Sequence, residues 1–226
     1  MESIGYLENK FWEDTKCGNI CSKENPIFGT QWKVELFDDY VLKTPRNGAV
    51  NTATELYNRH LKAIGIMEDG YYRSKGVKPP VPEMALVGNG VIQQRVTGRR
   101  LADFTDEEIM GFPESILVDL CHLLDCSLIA NQDGSGIRDF VDLPGYNLNL
   151  PWPQRSIRAL NPRYSINIMV DEQKGELFFV DPDMYFASTR NIGTKLAAAS
   201  MKPMMMLFTE MFRDRIRKVL GERILE

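Results

Sequence analysis

At 226 residues, with 43% hydrophobic and 26% charged side chains and a formal net charge of −4, the chain has the make-up of an ordinary globular protein of one large domain or two small lobes. The acidic balance supplies no basic face for nucleic acid, and no apolar run is long enough to span a membrane. The polar start Met1-Glu2-Ser3-Ile4-Gly5 lacks a signal-peptide core, and Cys17, Cys21, Cys121 and Cys126 fit no zinc spacing, so reduced structural thiols in a cytoplasm are expected; an effector exported without a cleaved signal would read the same.

In chain order, residues 1–25 are polar with little periodicity and read as a loose or weakly helical extension. From Pro26 the pattern turns strand-like, through Ile27-Phe28-Gly29-Thr30 and then Gln31 to Phe37, where Trp32, Val34 and Leu36 alternate with polar neighbours. Asp38-Asp39 makes a turn into Tyr40-Val41-Leu42-Lys43-Thr44. After Pro45-Arg46-Asn47-Gly48, Asn51 or Thr52 can cap a helix to about Ile64, with Gly65 and the Gly70 region ending it. Beyond the rigid connector Lys78-Pro79-Pro80-Val81-Pro82, Met84–Val87 and Val91–Val96 read as two strands joined by Gly88-Asn89-Gly90.

Gly98 marks a change of character. Thr105-Asp106-Glu107-Glu108 is a capping-box pattern, and residues 113–130 form the best helix, with Ile116, Leu117, Leu120, Leu123, Leu124 and Leu128 on its buried face. Residues 131–160 are rich in loop signals. A last helix is predicted from about Pro203 to Leu220, stopped by Gly221, with Arg213, Arg215, Arg217 and Lys218 on a solvated side.

Between these helices stands the most informative stretch. Ile166-Asn167-Ile168-Met169-Val170-Asp171 and Gly175-Glu176-Leu177-Phe178-Phe179-Val180-Asp181 read as two strands around a polar turn. A hairpin returns its second strand beside the start of its first, so Asn167 and Asp181 meet at one edge. An amide oxygen and a carboxylate there suit Mg²⁺, which takes one or two protein oxygens and fills its shell from phosphates and water.

A small strand-rich lobe followed by a helical lobe with a late hairpin resembles the protein-kinase-like fold, close to its small atypical and bacterial members with aminoglycoside-phosphotransferase-like motifs. The resemblance runs from about Ile27 to Asp183. It implies an α+β, two-lobed fold: an N-terminal extension over 1–25, an antiparallel five-stranded N-lobe with one helix over 26–97, and a small, mainly helical C-lobe carrying the metal-binding hairpin over 98–226. Val41-Leu42-Lys43 is similar to the motif whose lysine holds the ATP phosphates, and Glu55, with Glu68 as a substitute, would orient Lys43. In the linker Gln94-Arg95-Val96-Thr97-Gly98-Arg99-Arg100-Leu101, Gln94 and Val96 would meet the adenine edge. Asn167 and Asp181 take the metal positions, and Asp181-Pro182-Asp183 stands for Asp-Phe-Gly, with Asp183 a second metal or structural carboxylate.

The sequence also departs from that pattern. The phosphate loop Asn25-Pro26-Ile27-Phe28-Gly29-Thr30 has one glycine where the family has several, and five positions before Asn167, where the family carries its catalytic aspartate, stands Pro162. Asp139 or Asp142 could substitute. The resemblance therefore implies an Mg·ATP-binding protein that passes a phosphoryl or nucleotidyl group to a protein or small-molecule hydroxyl, with Lys43 and Asp181 as its catalytic pair. The alternative is a pseudokinase, a scaffold that recognises a protein partner.

Overall fold

The computed structural model describes residues 3–16, 27–28, 32–46, 52–132, 160–165, 167–180 and 192–224. The chain mixes α and β structure with antiparallel sheets. It divides into two compact units, residues Met1–Lys62 with Val81–Val96, and Ala63–Pro80 with Thr97–Glu226.

The first unit is built on a five-stranded antiparallel sheet of order β1-β2-β3-β5-β4. Its strands are β1 (Ile27–Phe28), β2 (Trp32–Leu36), β3 (Tyr40–Pro45), β4 (Met84–Val87) and β5 (Gly90–Gln94). Alternation gives the sheet two apolar faces. On one, Tyr40, Ala85, Val87 and Ile92 pack with Leu7 and Phe11 of helix α1 (Ser3–Lys16). On the other, Met84 and Val91 pack with Ala53 and Leu56 of α2 (Ala53–Met67). Ser3–Lys16 is thus a packed helix and not a loose one: Leu7 is 3% exposed, and Asp14 accepts a hydrogen bond from the Tyr40 hydroxyl at 3.3 Å. One buried residue per two turns is too sparse a signal to see without the sheet beneath it.

α2 does not stop at Gly65. The chain continues through a π-helical turn (Glu68–Tyr72) and α3 (Arg73–Lys75) until Gly76, whose φ of 67° needs glycine. Met67, Tyr71 and Tyr72 are buried beyond the expected end, and that packing outweighs the helix penalty of the two glycines, Gly65 and Gly70, about 1 kcal/mol each.

The second unit is centred on α5 (Glu114–Gln132), whose Ile116, Leu117, Leu120, Leu123, Leu124 and Leu128 are buried. It packs against the π-helical turn, against β8 (Glu176–Phe179), and against α6 (Ile192–Ile224) through residues such as Phe212 and Ile216. α4 (Asp106–Met110) opens with the full capping box of Thr105 and Glu108. β6 (Arg99–Arg100), β7 (Ile168–Asp171) and β8 form a three-stranded antiparallel sheet. α6 begins before Pro203 and passes Gly221, and Arg223 near its end donates to the carbonyls of Phe112 and Met110, each at 2.6 Å. Its basic residues are not simply solvated. Arg213 and Arg217 bind Asp125 of α5, and Arg215 binds Asp106 of α4.

Candidate functional site

Within the first unit, Lys43 lies on β3, between Val34 of β2 and Val91 of β5. Directly paired residues share a face, so Lys43 is on the side where Val91 meets α2. That helix carries Glu55. Its carboxylate accepts the Thr52 N–H at 2.6 Å, while the Glu55 N–H donates to the Thr52 hydroxyl at 3.2 Å. This reciprocal cap starts α2.

Gln94 closes the β4–β5 ladder. Its N–H donates to the Glu83 carbonyl at 2.8 Å and its side-chain oxygen accepts the Glu83 N–H at 3.3 Å. Arg95 is fixed next to it by bonds to the carbonyls of Asp39 (2.9 Å) and Phe37 (2.7 Å). Val96, half-buried, follows and ends the unit.

Within the second unit, the hairpin β7–β8 pairs Ile168 with Phe179 through Asp171 with Glu176. Pairing extends one step further at the open end, where the Val180 N–H donates to the Asn167 carbonyl at 2.8 Å. The Asn167 N–H in turn donates to the hydroxyl of fully buried Ser165 at 3.2 Å. Asn167 is therefore anchored by its backbone from both sides. Its side-chain amide makes no hydrogen bond among the described residues, which leaves one hard oxygen at the hairpin edge. Asp181 is the next residue after Val180 in sequence. Asp181 and Asp183 lie outside the described residues, as do Asp139 and Asp142.

Ser165 was not singled out from the sequence. The signal was a serine two residues before an asparagine, a spacing at which a hydroxyl accepts a nearby backbone N–H.

Two contacts fix the rest of this hairpin. Gly98, at φ 115°, runs so close to β7 that a Cβ there would sit 2.2 Å from the Val170 carbonyl oxygen. The Thr97 hydroxyl donates to Asp171 at 2.6 Å and holds that carboxyl below its ordinary range.

The segment before Asn167 contains Pro162, five positions ahead of it. Pro162, Arg163 and Tyr164 form a 3-10 turn capped by Asn161, whose side-chain oxygen accepts the Arg163 N–H at 3.0 Å. Proline at the first position of a helical turn has no N–H to leave unpaired. Arg163 is buried, with its guanidinium on Asp106 and on the carbonyls of Leu101 and Phe104. The nearby carboxylate of Asp106 is held by Arg163 and Arg215, which keeps it ionised and makes it a weak proton acceptor.

One magnesium ion needs few protein oxygens, and an asparagine amide oxygen without a hydrogen bond among the described residues fits that requirement. No family model matches the sequence, and no curated protein matches it. Among solved structures, an aminoglycoside phosphotransferase from Streptomyces rimosus is similar, at 12% identity over 94% of this chain and 97% of that one, with a TM-score of 0.38. A TM-score of that size does not fix a fold.

Proposed function

We propose that the chain is a kinase-like protein that binds Mg·ATP and transfers a phosphoryl or nucleotidyl group to a hydroxyl of a protein or small molecule. The observation that carries this reading is the hairpin edge, where the backbone of Asn167 is pinned by Ser165 and Val180 while its amide makes no hydrogen bond among the described residues; Asp181 follows Val180 in sequence. Asn167 and Asp181 would hold the metal, with Asp183 as a further carboxylate. A bound Mg²⁺ would neutralise phosphate charge. Lys43 would pair with the phosphates as a point charge, Glu55 would orient it, and the backbone about Gln94 and Val96 would meet the adenine. Because the Gln94 N–H is already engaged with Glu83, Val96 is the better placed of the two to donate.

In phosphoryl transfer the acceptor oxygen bonds to the γ-phosphorus as the bond to the ADP oxygen breaks, and the hydroxyl proton passes to solvent or a base. Positioning and charge neutralisation supply most of the rate, so slow turnover does not require a dedicated aspartate.

A second reading has its own observation. Pro162 and Asn161 are used to build a 3-10 turn, and Arg163 to bind buried carbonyls, so the stretch that would supply the base is committed to structure. That supports a pseudokinase scaffold which keeps nucleotide binding. A calorimetric titration of ATP, with and without Mg²⁺, into wild type and Asp181→Ala tests the common core. Mg-dependent binding that is lost in Asp181→Ala supports it, and a folded wild type that binds no ATP removes it. Transfer assays with ATP labelled at the α- or γ-phosphate then separate phosphoryl transfer, nucleotidyl transfer and the silent scaffold.

A further inference from the structure

The second unit holds a concavity that uses none of the residues proposed for the nucleotide. Four of its elements line it: the π-helical turn with Tyr71, α3 with Lys75, α5 with Val118, His122 and Asp125, and α6 with Arg217 and Leu220. Val118, His122 and Asp125 recur at helical spacing, so α5 presents them as one stripe. The volume is about 250 Å³. A cavity of ~150 Å³ holds benzene, so this one has room for a single ring or short chain with one charged substituent.

Its polar groups are unevenly matched. Asp125 is the one carboxylate lining it, and its oxygens are already engaged. Oδ2 accepts from the Tyr71 hydroxyl at 3.2 Å and from Arg217 Nη2 at 2.6 Å, and Oδ1 accepts from Arg213 Nη1 at 3.3 Å. The donors are not used up in the same way. Arg217 keeps Nε and Nη1 without a protein partner among the described residues, and its side chain is half exposed. Lys75 stands 5.6 Å from the centre of the Tyr71 ring and has no acidic partner among the described residues. A cationic rim above a saturated carboxylate and an apolar wall asks for a ligand that brings acceptors and negative charge.

The walls are preformed. Tyr71 and His122 meet edge to face at 5.6 Å, and Tyr72 packs against the same imidazole at 6.3 Å. Cys121 also lines the pocket, but burial pushes its thiol up to about 11, so it offers no thiolate at neutral pH and the site is non-covalent.

We propose that this pocket binds a small organic anion, its carboxylate or phosphate on Lys75 and Arg217 and its apolar body against Val118, Leu220 and the rings of Tyr71 and His122. The anionic oxygens are the shared chemistry, and the choice of probe distinguishes their sources.

The test is a titration of the full chain with benzoate, phenyl phosphate, inorganic phosphate and the neutral benzyl alcohol, followed by calorimetry or ligand-observed NMR. Saturable binding of benzoate or phenyl phosphate, with none for benzyl alcohol, is expected. Lys75→Gln should weaken it about tenfold, the loss of one charge-assisted hydrogen bond. Arg217→Gln should act likewise, and because that change also removes a partner of Asp125, the exposed Lys75→Gln is the arm read first. Absence of saturable binding for both aromatic anions overturns the proposal. So does binding that Lys75→Gln leaves unchanged, and so does inorganic phosphate binding as tightly as phenyl phosphate, which would remove the apolar half. ATP titrated into Lys75→Gln should behave as in wild type, so this site and the nucleotide reading fail separately.

Discussion

Arg163 and Asp106, 57 residues apart in sequence, are joined by a 2.7 Å bond from Nε to Oδ1. The same guanidinium donates to the carbonyls of Leu101 and Phe104, so one side chain satisfies three acceptors around the 3-10 turn at Leu101–Asp103. Arg163→Met would remove the guanidinium from the buried Phe104 carbonyl and from Asp106, and leave the Leu101 carbonyl only the Phe104 N–H at 3.3 Å. We expect a loss of about 2–4 kcal/mol in urea unfolding, and Arg163→Lys should recover little of it because an ammonium cannot span the fork.

The pH dependence follows from the same pair. The hydrogen bond from Arg163 holds the Asp106 carboxyl below its ordinary range, with Arg215 adding to it. A carboxyl depressed in the folded state stabilises fully above its unfolded pKa, and that contribution is lost as pH falls through the folded value. Urea midpoints should therefore drop as pH is lowered from about 5 to 3. The drop should be shallower in Arg163→Met without vanishing, because Asp171 and Glu108 are depressed as well. An unchanged slope would detach Asp106 from acid unfolding.

Gly98 is where the chain has least room. A methyl group there would press on the Val170 carbonyl at 2.2 Å, at a φ of 115° that L-residues rarely adopt. The carbonyl is backbone and a Cβ is fixed by the backbone that carries it, so neither can turn aside. Gly98→Ala should cost about 3 kcal/mol or more and detach β6 from β7, visible as lost amide protection at Val170.

The parts of the fold legible in the sequence are those set by local pattern. Trp32, Val34 and Leu36 alternate because β2 is half-buried, and the polar turn before Glu176 ends β7 whatever packs around it. What failed depended on distant partners. α1 is fixed by Leu7 against Tyr40 and Ala85, and α2 runs past Gly65 because Met67 and Tyr72 are buried. Asp125 and Arg217 stand 92 residues apart, and only the four-residue spacing of Arg213 and Arg217 hinted that both face one acid. At the candidate site, the position of Asn167 follows from the period of the strand. Its anchoring by Ser165 does not, since a buried hydroxyl looks like any other serine in sequence.

Tyr72 carries a defect. The side chain is 2% exposed and its hydroxyl has no hydrogen-bond partner among the described residues. The ring fills space beside His122, while the hydroxyl has left water for nothing. Tyr72→Phe keeps the ring and removes the unpaired group, so it should raise stability by about 1 kcal/mol. A decrease in the urea midpoint would mean that the hydroxyl is satisfied in solution.

Lys43 and Asn167 have different jobs in the proposed nucleotide site, and one titration can tell them apart. A lysine acts on phosphate as a point charge whether or not a metal is present, whereas an amide oxygen at the hairpin edge acts through the metal. Lys43→Met should weaken ATP about tenfold both with Mg²⁺ and in EDTA. Asn167→Ala should leave binding in EDTA at the wild-type value and remove only the gain that Mg²⁺ brings. Ser165→Ala should show a weaker form of the Asn167 pattern, because it loosens the backbone that carries the amide. If Asn167→Ala and Lys43→Met shift both titrations equally, the asparagine is part of the fold and not a metal ligand, and the hairpin edge ceases to support a magnesium site.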